Sequence, residues 1–405
     1  MKGKNKIFAH RIISMFLCLL LFVSSVNLMY AEDTACNISR ENSGGDNNIS
    51  EAGGNAVTGS AIGYRSIVGY STSSTAIEGE GTKEKPFVIN DEKDLRIVES
   101  NVNGNIESYE GKYIKIKEST GIELTGEWIS IGNEENPFKG NFDGNSVTVS
   151  GIRIGEKTTP AAIDYIGFFG HIENAQIKNL TVSGTAIGAG NVGGIAANSK
   201  NSEFVNCVNY VNLKGKTNAG GISASDEGSL FENCVNRGEI KSEGNAGGIV
   251  SDVKGSARIK NCYNASVVEG GNNTGGIAGN IANGTASVKA ELTGSYNSGA
   301  VNGTGKYTGG VAGKAGNSVV LKDCFNKGRV EGKGDFTAGA AAYLGTEANI
   351  DNCYNASEGI ITGFGEYTAG VFGDIKAKRK ANNTKLERLY NAGQVNGMGE
   401  YTSGV

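Results

Sequence analysis

Beyond residue 31 the chain contains one histidine, His171, set in the apolar run Phe168-Phe169-Gly170-His171-Ile172. A lone histidine there has no partner to share a metal and no nucleophile beside it, so it reads as structural. The chain has no H-E-x-x-H pair, no Gly-rich loop closed by Lys, and no G-x-S-x-G with a partner His. Acid/base work on a glycosidic bond needs two carboxylates on one face. Asp143, Asp164 and Glu173 are scattered instead, and no acidic pair recurs. Five of the seven cysteines, Cys207, Cys234, Cys262, Cys324 and Cys353, recur 27 to 62 residues apart, with Ser295 and Leu389 at the intervening places. Zinc motifs use close C-x-x-C pairs with His. A position open to Ser and Leu suits a small, half-buried slot, and the favoured reading is a ladder of free thiols. Disulfides are the alternative, disfavoured because stacked strands about 4.8 Å apart hold the Cβ vectors parallel. No catalytic residue, metal or cofactor is expected.

The cysteines belong to a phrase that repeats: an apolar residue, two mostly polar ones, Cys, any residue, then Asn. Its asparagines are Asn209, Asn236, Asn264, Asn297, Asn326, Asn355 and Asn391, and an aliphatic follows each, at Leu213, Ile240, Val268, Val301, Val330, Ile360 and Val395. Asn tolerates the left-handed conformation at a bend, and stacked side-chain amides can hydrogen-bond from coil to coil. The expectation is a structural ladder. A second phrase alternates with the first, as in Asn191-Val192-Gly193-Gly194-Ile195 and Tyr307-Thr308-Gly309-Gly310-Val311. Its fourth residue is Gly in all eight copies, at 194, 221, 248, 276, 310, 339, 370 and 404, a period of 27 to 34 residues. Its first residue is Asn191, Asn218, Asn245 and Asn273, and then switches to Tyr307, Phe336, Tyr367 and Tyr401. A slot that accepts Asn four times is not deep core. The four rings are therefore the candidate ligand face, a platform for sugars or protein partners; the alternative is that they stack on one another and cover a corner.

A fixed period of this size is the signature of a solenoid, in which each repeat buries its apolar face against its neighbours. Gly supplies 63 of 405 residues and Pro only 3. The Gly content argues against helical repeats, and the lack of a Gly-X-Y period argues against collagen. Short Val/Ile runs between Gly and Asn indicate two or three short strands per period, paired in parallel and in register. The expected fold is all-β: a right-handed parallel β-helix of roughly 10 coils, about 4.8 Å apart. Asn90 or Asp91 is placed to cap a short helix carrying Leu95, Ile97 and Val98 and ending by Gly104, a lid on the open first coil.

The N-terminus carries Lys2, Lys4, Lys6 and Arg11, then an apolar stretch from Ile12 to Val23, with Ala31 before Glu32. This reads as a signal peptide over 1–31, since the run is shorter than the roughly 20 residues of a spanning helix. Those four basic residues removed, 34 basic residues face 42 acidic ones, a net charge of −8. Nucleic acid and anionic membrane surfaces are poor partners for such a chain. Residues 32–80 form a polar leader with little to bury. The cap and first coils are expected over 81–185 and the clear repeats over 186–405.

Gly276-Ile277-Ala278-Gly279, Gly310-Val311-Ala312-Gly313 and Gly370-Val371-Phe372-Gly373 resemble the Gly-aliphatic-x-Gly of bacterial surface proteins with GLUG motifs. The stretches Gly81 to Phe87, Trp128 to Gly132 and Phe138 to Asn145 are similar to that family's lead-in, so the resemblance covers about 80–405. Copies at Gly221, Gly248 and Gly339 depart from the final Gly. The resemblance implies a secreted or wall-attached β-helix, often part of a multidomain adhesin. Such motifs also occur in the non-catalytic region of zinc metallopeptidases that cut immunoglobulin A, but this chain has no zinc motif to which that activity could be carried over.

The expected function is a secreted or cell-surface stalk or adhesin module with no catalysis of its own, binding a host glycan or extracellular protein. The alternatives are a polysaccharide-degrading β-helix enzyme and the non-catalytic part of a larger surface peptidase. Val405 interrupts a repeat phrase, so a further C-terminal domain is expected.

Overall fold

A computed structural model describes residues 77–118, 121–155, 164–285, 287–376 and 384–405, all within one compact unit, Ser73–Val405. The expected signal peptide and nearly all of the polar leader lie outside the described residues. The chain is a parallel β-solenoid, and among the described residues its strands form four sheets of 11, 16, 9 and 8 strands. One coil shows the order. Glu203–Val205 belongs to sheet 1, Val208–Gly215 to sheet 2, Asn218–Gly220 to sheet 3 and Ser223–Glu227 to sheet 4, and Leu230–Glu232 then re-enters sheet 1. Every strand pairs with its equivalent one repeat away, as in Asn191 with Asn218 and Phe204 with Phe231. Most coils carry four or five short strands rather than two or three, because sheet 2 holds two rows, such as Val235–Asn236 and Ile240–Ser242, both paired to Val208–Gly215. Sheet 1 runs unbroken past residue 185, Gln176–Lys178 pairing with Glu203–Val205.

Alternation along each strand sends one set of side chains into a continuous core. In sheet 1 that column includes Phe142, Ile177, Phe204, Phe231, Ile259, Leu292, Leu321 and Ile350, all buried. The expected aliphatic at Ile360 is displaced. Val330 pairs with Ile361, which is fully buried, whereas Ile360 is exposed. Five residues separate Asn355 from Ile361, against three between Asn326 and Val330, and this lengthens the turn and shifts the inward position.

Helix α1, Glu92–Asn103, starts at Asp91, whose carboxylate accepts from the Lys93 and Asp94 amides at 2.9 and 3.2 Å, and ends at Gly104. It buries Leu95, Val98 and Val102 in the common core, while Ile97 is only partly buried. Polar contacts also pin it to the first coil. Glu92 accepts from the Thr125 amide at 2.9 Å, and Arg96 donates to the Glu127 carbonyl at 2.9 Å while lying over the Trp128 ring. Trp128 to Ile131 is not the strand its apolar pattern predicts. It is irregular apart from a bridge between Ile131 and Phe169, because Trp128 is turned inward to stack on Phe168 and donate to that residue's carbonyl at 3.1 Å. The chain turns tightly at Asn145 and Ser146, both in the left-handed region, just after the Asp143-Gly144 pair that would ordinarily mark such a turn.

Candidate functional site

The two repeated phrases meet inside the solenoid. Each buried Asn of sheet 2 donates through Nδ2 to the Oδ1 of the next copy, from Asn209 to Asn236 at 2.8 Å and on through Asn264, Asn297, Asn326 and Asn355 to Asn391. The constant Gly column faces this ladder. A Cβ on Gly310 would lie 2.2 Å from the Gly339 carbonyl oxygen and 2.4 Å from Asn326 Cγ, and Gly221, Gly276 and Gly370 meet the same obstruction. Close approach therefore explains this glycine. The coil is pinched inward where sheet 3 turns into sheet 4.

An inward pinch leaves a re-entrant exterior. Outward side chains of sheet 3 touch outward side chains of sheet 4, which a convex surface would hold apart. Asn191 donates to Asn198 Oδ1 at 2.8 Å, the Tyr165 and His171 rings meet edge to face at 4.5 Å, and Tyr307 meets Tyr343 at 5.4 Å. Asn218 and Asp252 point outward from their strands yet are 8% and 9% exposed. These contacts outline a shallow re-entrant seam, or cleft, between sheets 3 and 4.

Its sheet 3 wall is the column that switches from Asn to aromatic. Asn218 donates to Asn191 at 2.8 Å, Asn245 to Asn218 at 3.1 Å and Asn273 to Asn245 at 2.8 Å. Beyond them Tyr307, Phe336, Tyr367 and Tyr401 stack with centroids 5.3, 4.9 and 4.9 Å apart and planes within 22° of parallel. Stacking covers the ring faces and leaves edges and hydroxyls to solvent. Lys306 lies over Tyr307 and Phe336. The sheet 4 wall was not foreseen: His171, Asn198, Ser225, Asp252, Asn280, Lys314, Tyr343 and Asp374, in register from coil to coil. Its chemistry differs in nearly every copy, so no repeated phrase marks it.

His171 Nε2 lies 2.9 Å from Asn198 Nδ2, whose Oδ1 is already engaged by Asn191, so the imidazole accepts there. Burial lowers its pKa. The two cleft carboxylates, Asp252 and Asp374, lie four repeats apart and pair with Lys254 and Lys376 at 3.4 and 3.1 Å. They form no acid/base couple. Asp143, Glu173 and Asp164 do not converge here either. Asp143 faces Lys178 at 3.4 Å and Glu173 faces Lys200 at 3.1 Å, while Asp164 is exposed.

Cys207, Cys234, Cys262, Cys324 and Cys353 are free thiols and fully buried rather than half-buried. Their Sγ atoms lean on backbone carbonyls, as from Cys234 to Phe204 O at 3.4 Å, and burial pushes Cys207, Cys262 and Cys324 well above the ordinary thiol range. No group of three His, Cys, Asp or Glu among the described residues could hold a metal. A second ring stack lies on the outer face of sheet 2: Tyr263, Tyr296, Phe325, Tyr354 and Tyr390, with spacings of 5.2, 5.0, 5.0 and 4.4 Å. Its signal was the residue between Cys and Asn in the first phrase, which is Val in the first two copies and aromatic thereafter. A surface depression of about 680 Å³ lies on the second row of sheet 2, where Lys241 with Glu269 and Arg329 with Glu331 neutralise one another.

Comparison with known proteins adds the following. No protein-family model matches the chain. It is 32% identical over 128 residues to a "Putative Gly-rich membrane protein" of Evansella cellulosilytica, a match covering 30% of this chain and 13% of that protein. The chain therefore spans only a small part of the length of that relative. Among solved structures it is similar to a "putative immunoglobulin A1 protease" from Bacteroides ovatus, with 20% identity, 77% of each chain covered and a TM-score of 0.40. No helix among the described residues is long and apolar enough to cross a membrane.

Proposed function

We propose that this chain is a β-solenoid displayed outside the cell, binding or presenting an extended partner along the cleft between sheets 3 and 4 without chemistry of its own. The observation that carries this reading is the cleft itself, a lengthwise surface whose walls pass from hydrogen-bonding amides to ring edges and hydroxyls. A solenoid resists bending because every coil is hydrogen-bonded to the next, which suits reach and display. The basic and apolar N-terminal segment supports export. The GLUG-like phrases support a bacterial surface setting.

The geometry also narrows the mode of contact. Ring faces in the Tyr307 to Tyr401 stack are occupied by neighbouring rings, so a sugar cannot lie flat on them. A glycan or an extended protein segment would instead meet the Tyr hydroxyls and the part-exposed amides of Asn191, Asn245 and Asn273.

The purified chain on an array of glycans and extracellular matrix proteins tests this. Saturable binding, lost when Tyr307, Phe336, Tyr367 and Tyr401 are replaced by Ala with the circular dichroism unchanged, is the expected result. Binding that survives both that variant and Asn218→Ala with Asn245→Ala would remove the cleft as the ligand face.

A further inference from the structure

Three pairs of tyrosines stand directly over one another on successive coils. Tyr354 and Tyr390 have centroids 4.4 Å apart and planes 11° from parallel. Tyr367 and Tyr401 are 4.9 Å and 10° apart, and Tyr263 and Tyr296 are 5.2 Å and 5° apart. Each pair is an in-register strand partnership, so the backbone on both sides holds the rings in place. Phe325 and Phe336 separate Tyr from Tyr elsewhere in the two stacks. None of the six tyrosines is buried, and Tyr390 and Tyr401 are 46% and 54% exposed.

We propose that these pairs are sites of oxidative modification, at which a peroxide acting through a peroxidase joins adjacent coils by dityrosine, with Tyr354–Tyr390 the leading pair. One-electron oxidation of each phenol sends its hydroxyl proton to water and leaves a phenoxyl radical with spin on the carbons ortho to oxygen. Two such radicals form one carbon–carbon bond. The hydrogen on each coupled carbon then moves to its own oxygen, restoring both phenols. In sum, two phenols give up two electrons and two protons, and one hydrogen peroxide takes them up to become two waters.

Parallel stacking places equivalent ortho carbons close to one another; coupling then requires these part-exposed rings to swing from face-to-face to edge-to-edge, so that the new bond lies in both ring planes. Holding two reactants in this way replaces a bimolecular encounter by an intramolecular one. The links would bind coil to coil in a region whose thiols are free, buried and aligned along the solenoid, with no disulfide among the described cysteines.

Tyr210 is the internal control, as exposed as Tyr390 at 46% but outside both stacks. The dilute full chain is treated with hydrogen peroxide and a peroxidase, followed by dityrosine fluorescence, size analysis and peptide mapping. The expected result is a monomer in which peptides containing Tyr354 and Tyr390 are joined, with stacked pairs outyielding links to Tyr210 by about tenfold or more. Tyr354→Phe should remove that link and leave the Tyr263–Tyr296 link. Absence of dityrosine, links found only between molecules, or the same pattern from chain unfolded in urea would overturn the proposal.

Discussion

Replacing Asn326 by Ala tests whether the interior ladder holds the coils together or merely occupies the space. Asn326 is fully buried and makes four hydrogen bonds. Its Nδ2 donates to the Gly328 carbonyl at 2.8 Å and to Asn355 Oδ1 at 2.9 Å. Its Oδ1 accepts from the Gly328 amide at 3.2 Å and from Asn297 Nδ2 at 2.8 Å. At about 1 kcal/mol net for each bond, with former partners left buried and unpaired, the loss comes to about 4 kcal/mol. Stability in a solenoid is a sum of repeat and nearest-neighbour terms, so the damage should centre on the coils around Asn297, Asn326 and Asn355. Urea denaturation followed by circular dichroism gives the size of the loss, and amide hydrogen exchange gives its place. Asn349→Ala, at an exposed position of sheet 1, is the control and should cost under about 0.5 kcal/mol. If the two variants unfold within about 1 kcal/mol of each other, or if exchange accelerates uniformly along the chain, the ladder is not what holds the coils.

Three further outcomes follow from the same geometry. Gly310→Ala should destabilise by about 3 kcal/mol, since its Cβ would meet the Gly339 carbonyl, whereas Gly404→Ala, with nothing within 4 Å, should be nearly neutral in thermal melts. Asp226 is buried, accepts from Ser199 Oγ at 2.7 Å and from the Ser229 amide at 3.1 Å, and burial raises its pKa from 3.8 to about 6. Below the unfolded value it is protonated in both states and costs nothing; as pH rises through about 6 the folded state loses on the order of 3 kcal/mol relative to that limit. Asp226→Asn should therefore flatten the difference in urea midpoint between pH 4 and pH 7.5, and an unchanged difference would contradict this. The five buried thiols should resist alkylation in the native chain and react on unfolding, as read by mass spectrometry; rapid native labelling of Cys234 or Cys262 would mean the core is open there.

The solenoid was legible because its period is written in residue types that admit few substitutes. Gly194 and its equivalents, with Asn209 and its equivalents, recur because one packs against the other, though the sequence offered no means of knowing that they meet. The N-terminal helix was equally plain, since Asp91 and Gly104 are local signals acting on local backbone. Trp128 to Ile131 misled because an apolar alternation cannot distinguish a strand from a loop that turns a large ring inward. Ile360 misled because two extra residues shift which neighbour faces the core. The ring stack of Tyr263 to Tyr390 passed unnoticed because its slot also holds Val208 and Val235.

Repetition, strand pairing and the exclusion of familiar catalytic motifs were properties of this sequence alone, since each rests on residue type and spacing along the chain. The cleft was not. His171, Asn198, Asp252, Lys314 and Tyr343 share no chemistry and no phrase, and only the bend at the Gly column brings them against the Asn and aromatic wall. The ring faces were left open between two readings: Tyr307, Phe336, Tyr367 and Tyr401 could form a platform or stack on one another, and parallel strand pairing stacks each ring on the next. Sequence spacing gives the period of the coil. Which surfaces are then covered, pinched or left open depends on contacts between coils, and those exist only once the chain has wound on itself.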